Sequence, residues 1–213
     1  MHLKRHKATK LWSIPRKGTK FIVVPSHNKK NGIPLLIVMR DILKHVKTRK
    51  ELNKIINEKK IKINEEFVKN DNVSLLLFDV ISITSIKKHY IVSLSEHGKI
   101  NVVEISENES KSKISKIVNK KIVKKNKVQL NMSDGRNVLS KEKISIGDSV
   151  VIDMASNKII KVQPMKEGSE VMIIRGKHVG KIGIVLKIED KGILINFKNR
   201  ELKVKFDQAI VIK

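Results

Sequence analysis

Two hydrophobic periods organise the chain. From Pro34 onward, apolar residues return at helical spacing as Leu35, Val38, Met39, Ile42, Leu43 and Val46. Pro34 suits the first turn of such a helix, because its missing N–H is an orphan there anyway. Thr48 followed by Glu51 forms a capping box and predicts a second helix with Leu52, Ile55 and Ile56 as its apolar face. The opposite faces of the pair carry Arg40, Lys44, Lys47, Arg49, Lys50 and Lys54. After Lys60 the period drops to two. Ile61 and Ile63 alternate with Lys62 and Asn64, and short strands follow at Phe67-Val68, Val73 to Phe78 and Val80 to Ile83. Residues 90–95 and 100–105 flank Glu96-His97-Gly98-Lys99, which predicts a hairpin. The polar residues 106–113 predict a loop.

A second β-rich stretch begins near Ile114. Val128, Leu130 and Met132 alternate with Gln129 and Asn131, and Asp134-Gly135 marks a turn. Val150 to Met154 and Ile159 to Val162 predict a hairpin across Ala155 to Lys158. Short strands near 170–175, 179–188, 193–197, 202–206 and 209–212 follow, with Gly176, Gly180, Gly183 and Gly192 at the bends. Strands this short at this spacing predict a small closed barrel. The fold class expected is therefore α+β and β-rich.

Charge changes the picture most at the start. The first forty residues hold ten Lys and Arg and no acid; the first carboxylate is Asp41. Pro15, Gly18, Pro25 and Gly32 interrupt any regular period there. Leu11, Trp12 and Ile14 form one apolar knot and Phe21 to Val24 another, which predicts docking of the segment onto a body. Packing is the role expected for Trp12. With too few apolar residues for its own core, residues 1–33 are expected to be a mobile arm that orders on a partner. The whole chain follows the same sign: 213 residues, 46 Lys plus Arg against 21 Asp plus Glu, formal charge +25. Lys111 to Lys127 alone has eight lysines and no acid. The partner that suits such a field is nucleic acid, because phosphate binding releases condensed counterions.

Other classes are disfavoured. No apolar run reaches the roughly 18 residues of a spanning helix, and no secretory pattern is visible, so a cytoplasmic location is expected. Cysteine is absent, which removes disulfides and thiolate metal sites. His2 and His6 stand four apart without a third ligand nearby. No phosphate loop occurs, and no nucleophile, base and orienting group come together.

The chain resembles the archaeal and eukaryotic small-subunit ribosomal proteins of the S-four-e family along its whole length. The likeness is carried by His2-Leu3-Lys4-Arg5, Trp12-Ser13-Ile14-Pro15-Arg16-Lys17-Gly18-Thr19-Lys20, Ile33-Pro34-Leu35-Leu36 with Arg40-Asp41-Ile42-Leu43-Lys44, and Asp79-Val80-Ile81-Ser82-Ile83. It continues through Val118-Asn119-Lys120, Val128-Gln129-Leu130-Asn131 and Asp134-Gly135-Arg136-Asn137 to Gly176-Lys177-His178-Val179-Gly180-Lys181-Ile182-Gly183. Two positions depart from the pattern. The helical-pair module that the resemblance implies often has glycine after its second helix and in its first strand turn; this chain has Lys59 and Glu65, and Glu65-Glu66 makes that turn acidic.

The resemblance implies a basic N-terminal extension at 1–33, a helical-pair RNA-binding module at 34–96, a central β domain at 97–166 and a KOW-type barrel of the Src-homology-three kind at 167–213. It implies a structural constituent of the small ribosomal subunit and not an enzyme. Its partners would be small-subunit ribosomal RNA and neighbouring small-subunit proteins, with no membrane, small-molecule substrate, metal or cofactor. The residues expected to meet RNA are Lys4, Arg5, Lys7, Lys10, Arg16, Lys17 and Lys20 in the arm, Arg40, Lys44, Arg49, Lys50 and Lys54 in the helical pair, Arg136 in the middle, and Arg175, Lys177, His178 and Lys181 in the last barrel. In that last loop the glycines allow close backbone approach to phosphate; they could equally serve tight barrel corners. The alternatives are an accessory factor of RNA modification or of transcription elongation that carries the same modules.

Overall fold

The structure is a computed structural model that describes residues 2–123, 127–140, 142, 144–189, 192–198 and 200–212. The chain divides into two compact units, Met1–Ser95 with Lys99–Lys111, and Glu96–Gly98 with Ser112–Lys213. Among the described residues no helix is long and apolar enough to cross a membrane.

In the first unit the arm is packed, not free. Strand β1 (Leu3–Lys4) pairs antiparallel with β2 (Phe21–Ile22). Trp12 is 3% exposed and donates its indole N–H to the carbonyl of Gly32 at 3.1 Å. The Ile100 N–H bonds the Leu11 carbonyl at 2.7 Å, and Ser13 Oγ returns a bond to the Ile100 carbonyl at 2.7 Å. This corrects the expectation of a mobile arm. Leu3, Leu11, Ile14, Ile22 and Val23 cannot build a core alone, but they complete the core around Trp12, Leu36 and Leu52.

Strand β3 (Ile33–Pro34) leads into α1 (Leu35–Ile37), which widens into a π turn over Val38–Ile42. The Leu43 N–H bonds the carbonyl five residues back, Val38 O, at 2.9 Å, and Lys44 then turns left-handed at φ +58°. The first helix is therefore shorter than its periodicity predicts. Every residue from Ile33 to Met39 is buried, so this element has no polar side until Arg40. Helix α2 (Arg49–Asn57) matches its prediction. Thr48 Oγ1 accepts from Glu51 N–H at 3.3 Å, Glu51 Oε2 accepts from Thr48 N–H at 3.4 Å, and Leu52 and Ile56 face the core.

Strands β4 (Ile61–Ile63), β5 (Glu66–Phe67), β6 (Ser74–Leu75), β7 (Val80–Ile83), β8 (Lys88–Leu94) and β9 (Ile100–Ile105) follow, and all but the exposed β5 share one core with the helices. The main sheet has the order β5-β4-β7-β8-β9, and β6 pairs with β3. The β8–β9 hairpin pairs from His89 with Ile105 to Leu94 with Ile100, so the expected boundary at residue 96 falls inside it. Lys59 and Glu65 adopt φ of +54° and +66°. Both turns are left-handed without glycine, so their side chains bear the steric cost of positive φ. Residues 106–113, expected as a loop, contain the one-turn helix α3 (Glu107–Ser110).

The second unit holds two sheets. Strands β10 (Ser112–Val123), β11 (Lys127–Met132), β12 (Asn137–Ser140), β13 (Ser149–Asp153) and β14 (Ile159–Gln163) form one in the order β12-β11-β10-β13-β14, over a core of Ile117, Leu130, Val150 and Ile152. Strands β15 (Glu170–Ile173), β16 (Ile182–Glu189), β17 (Gly192–Phe197), β18 (Arg200–Val204) and β19 (Ala209–Val211) form the other in the order β18-β17-β16-β15-β19, around Val171, Val185, Ile193 and Ile195. The last sheet matches the predicted strands closely; β12 has no counterpart among them.

Lys116 ties these sheets together. It is 5% exposed, and its ammonium donates to the carbonyls of Phe206 and Ala209. Burial pushes it down to about 8, with Asp207 opposing and Arg175 adding to the shift. A depressed lysine binds fewer protons folded than unfolded between pH 8 and 10.5, so its contribution rises with pH across that window. Urea unfolding at pH 7 and at pH 10 should show a gain of up to about 3 kcal/mol from this group in the parent. In Lys116→Met that gain should be absent.

Candidate nucleic-acid interface

The cations of the arm sort into two kinds. Arg5 is spent inside the fold. Its Nε–H bonds the Thr19 carbonyl at 2.8 Å, Nη1 the Pro15 carbonyl at 3.0 Å and Nη2 the Thr19 hydroxyl at 2.9 Å. Its backbone N–H also bonds Lys20 O at 2.9 Å. One guanidinium thus holds both ends of the loop from Pro15 to Lys20. That loop presents Arg16, Lys17 and Lys20 to solvent, where Lys20 Nζ lies 5.5 Å from the centre of the Phe21 ring. Lys7 and Lys10 are exposed as well, while Lys4 is half-buried in β1.

The helical pair shows the same division. Arg49 grips the buried carboxylate of Asp71 with both arms of its fork, at 2.5 and 3.0 Å. Arg40 grips Asp41 at 3.1 and 2.9 Å. Both guanidiniums are held further into the charged form, chiefly by these hydrogen bonds. As its place off the apolar stripe predicts, Arg49 faces outward with its side chain 60% exposed; its pairing with Asp71 is not legible in the sequence, because Asp71 is remote along the chain. Lys44, Lys50 and Lys54 are exposed.

In the second unit Arg136 is engaged at the β11–β12 turn, bonding Asn157 Oδ1 at 2.9 Å through Nη1. Asp134, in the same turn, accepts the Lys113 ammonium at 2.9 Å, and the side chains of this pair are only 2% and 5% exposed. Lys120 and Lys121 stand exposed on β10. They are not among the residues expected to meet RNA; their signal in the sequence is the acid-free run Lys111 to Lys127, of which Lys124 and Lys125 lie outside the described residues.

The loop between β15 and β16 carries the final group. Arg175 and Lys177 are exposed. Lys181 is half-buried, with Nζ 4.8 Å from the centre of the Phe197 ring and 3.3 Å from His178 Nδ1. Burial first, then Lys181 and Lys177, hold His178 below the usual imidazole range. The glycines have structural reasons of their own. Gly176 and Gly180 sit at φ +96° and +87°, and a Cβ on Gly183 would lie 2.3 Å from the Asn196 carbonyl across the sheet. The corner reading therefore accounts for the glycines, and the cations alone speak for a ligand. Among the described residues no group of three or more His, Asp or Glu gathers as a metal site.

Among the described residues this chemistry is electrostatic: exposed lysine and arginine tips on ordered loops, no assembled acid–base machinery, and few exposed aromatic rings. Residues 86–159 match the model of ribosomal family S4e, and residues 167–199 match the KOW motif. The small ribosomal subunit protein eS4 of Methanospirillum hungatei is 36% identical over 191 residues, covering 87% of this chain and 79% of that protein. The eS4 protein of Methanococcus maripaludis strain C6 is 33% identical over 215 residues, covering 94% and 87%. The crystal structure of the 30S ribosomal protein S4e from Thermoplasma acidophilum matches with a TM-score of 0.74 at 26% identity, covering 86% of this chain and 96% of that one.

Proposed function

Because the chain belongs to the S4e family of ribosomal proteins, and so is a structural constituent of the small ribosomal subunit and not an enzyme, we propose that it grips small-subunit ribosomal RNA by charge and shape. The observation that carries this reading is the loop Pro15 to Lys20. Arg5 fixes its backbone from inside, and Arg16, Lys17 and Lys20 point their charge at solvent with no carboxylate before Asp41 to neutralise them. Such contacts position a protein on RNA without reading its sequence. Lys44, Lys50 and Lys54, and in the second unit Arg175 and Lys177, add further phosphate contacts. Lys4, Lys7 and Lys10 contribute from the arm, and His178 and Lys181 flank the last loop. Arg5, Arg40, Arg49 and Arg136 act as positioning residues that hold loops and turns in place.

We read the helical pair with its sheet as the RNA-binding module and the sheet β15–β19 as the KOW barrel of the Src-homology-three kind, with the β10–β14 sheet as the central domain. The match to the KOW motif and the single enclosed core of β15–β19 support this assignment. The cytoplasmic ribosome is the location, and neighbouring small-subunit proteins are the remaining partners.

Replacing Arg16, Lys17 and Lys20 together by Ala tests the reading. All three are exposed, so melting should move little. Affinity for small-subunit ribosomal RNA should fall, and the slope of log affinity against log salt should flatten by about one unit for each phosphate no longer neutralised. Unchanged affinity and slope would place the grip elsewhere.

A further inference from the structure

A cleft of about 440 Å³ lies in the first unit, lined by residues of the arm and of the helical pair. Phe21, Ile22 and Val23 supply apolar lining, and Arg40, Arg49 and Asn72 supply hydrogen-bonding groups. That volume falls in the range of roughly 300–1,000 Å³ common for small-molecule sites. No carboxylate lines it: Asp41 and Asp71 hold the two guanidinium forks through Nε and Nη2, and neither Nη1 meets an acceptor among the described residues. Phe21 is 48% exposed although it sits in a strand pair, and two cation-capable groups already attend its ring. Lys20 Nζ lies 5.5 Å from the centroid, and the His2 ring meets it edge-on at 5.1 Å. Lys20 and Phe21 are consecutive, so the acid-free charge of the arm loop runs directly into the cleft.

An exposed aromatic ring, an aliphatic wall and spare arginine hydrogens together match the parts of one nucleotide: a flat base, its polar edge and its phosphate. We propose that the cleft takes a single unpaired nucleotide of an RNA strand, its base stacked on Phe21 and its phosphate met by Arg40 or Arg49. This rests on the RNA-binding reading above and adds a stacked contact to it. The neighbouring phosphates of the strand would lie along Arg16, Lys17 and Lys20, which is why a strand fits better than a free nucleotide.

Binding of the full chain to hexauridylate, to a hexamer of abasic sites with the same charge, and to uridine monophosphate tests this. The parent should prefer hexauridylate over the abasic strand by about tenfold, the scale of one base stacked on an aromatic ring. Phe21→Leu keeps an apolar side chain and should bind both strands equally, at the level of the abasic one; Phe21→Tyr should keep the preference. Equal binding of both strands by the parent overturns the cleft proposal while leaving the electrostatic grip intact. So does a preference that survives in Phe21→Leu. Uridine monophosphate bound as tightly as the hexamer overturns it in favour of a free nucleotide. Failure of the parent to bind either strand or ribosomal RNA defeats the RNA-binding reading itself, and the cleft with it.

Discussion

Affinity of the full chain for small-subunit ribosomal RNA is expected to fall by roughly three to five orders of magnitude between about 50 and 200 mM salt. That steepness follows from roughly six to ten neutralised phosphates. The structure offers that many exposed tips: Lys7, Lys10, Arg16, Lys17, Lys20, Lys44, Lys50, Lys54, Arg175 and Lys177 all face solvent. Arg5, Arg40 and Arg49 also hold Thr19, Asp41 and Asp71 through Nε and Nη2, so replacing Arg49 should cost stability as well as RNA affinity. Filter binding over a salt series reads the slope. A nearly flat line would mean that stacking or apolar contact dominates, and the single stacked base proposed for the cleft is too small a share to produce one.

What is legible in the sequence follows its periods. Helix α2 is readable because Thr48 and Glu51 are three apart and local; the same signature, Ser106 with Glu109, starts α3 but is masked by the polar stretch around it. The strands β15 to β19 are readable because each is a short run containing Val, Ile or Leu between turn residues. Strand β12, with Val138 half-buried and Leu139 exposed, has too weak an alternation to stand out. The arm misleads for a different reason. Its apolar residues are too few to fold alone, and only tertiary closure on the core gives Trp12 and Leu11 their partners. The site is legible as charge and illegible as geometry. Composition names the cations, but which of them are consumed by Asp71, Asp41 or the Thr19 backbone depends largely on approaches between residues distant in sequence.

Asp134→Ala is expected to be the most damaging single substitution outside the hydrophobic cores. Lys113 and Asp134 meet at 2.9 Å with side chains 2% and 5% exposed, and removing the carboxylate leaves a buried ammonium without that anion. Breaking such a pair costs about 3–5 kcal/mol, whereas replacing both members by apolar residues of similar size costs far less. Asp134→Leu combined with Lys113→Met should therefore recover much of the loss in urea unfolding. Burial on its own would raise the Asp134 carboxyl, but the charge and hydrogen bond of Lys113, with the Arg136 N–H, hold it below the usual carboxylate range. Its stabilisation is thus present above about pH 4, the unfolded value, and is lost as pH falls through the lower folded value. Equal acid sensitivity in parent and double variant would show that the pair does not carry it.

The most direct test of the central claim is a protein–RNA crosslinking map of intact small subunits that contain this chain. Charge-based contact through ordered loops predicts crosslinks at Arg16 to Lys20, at Lys50 and Lys54, and at Arg175 and Lys177, with none at the buried Lys113 and Lys116. Crosslinks absent from all three exposed groups, or confined to residues outside them, would contradict it.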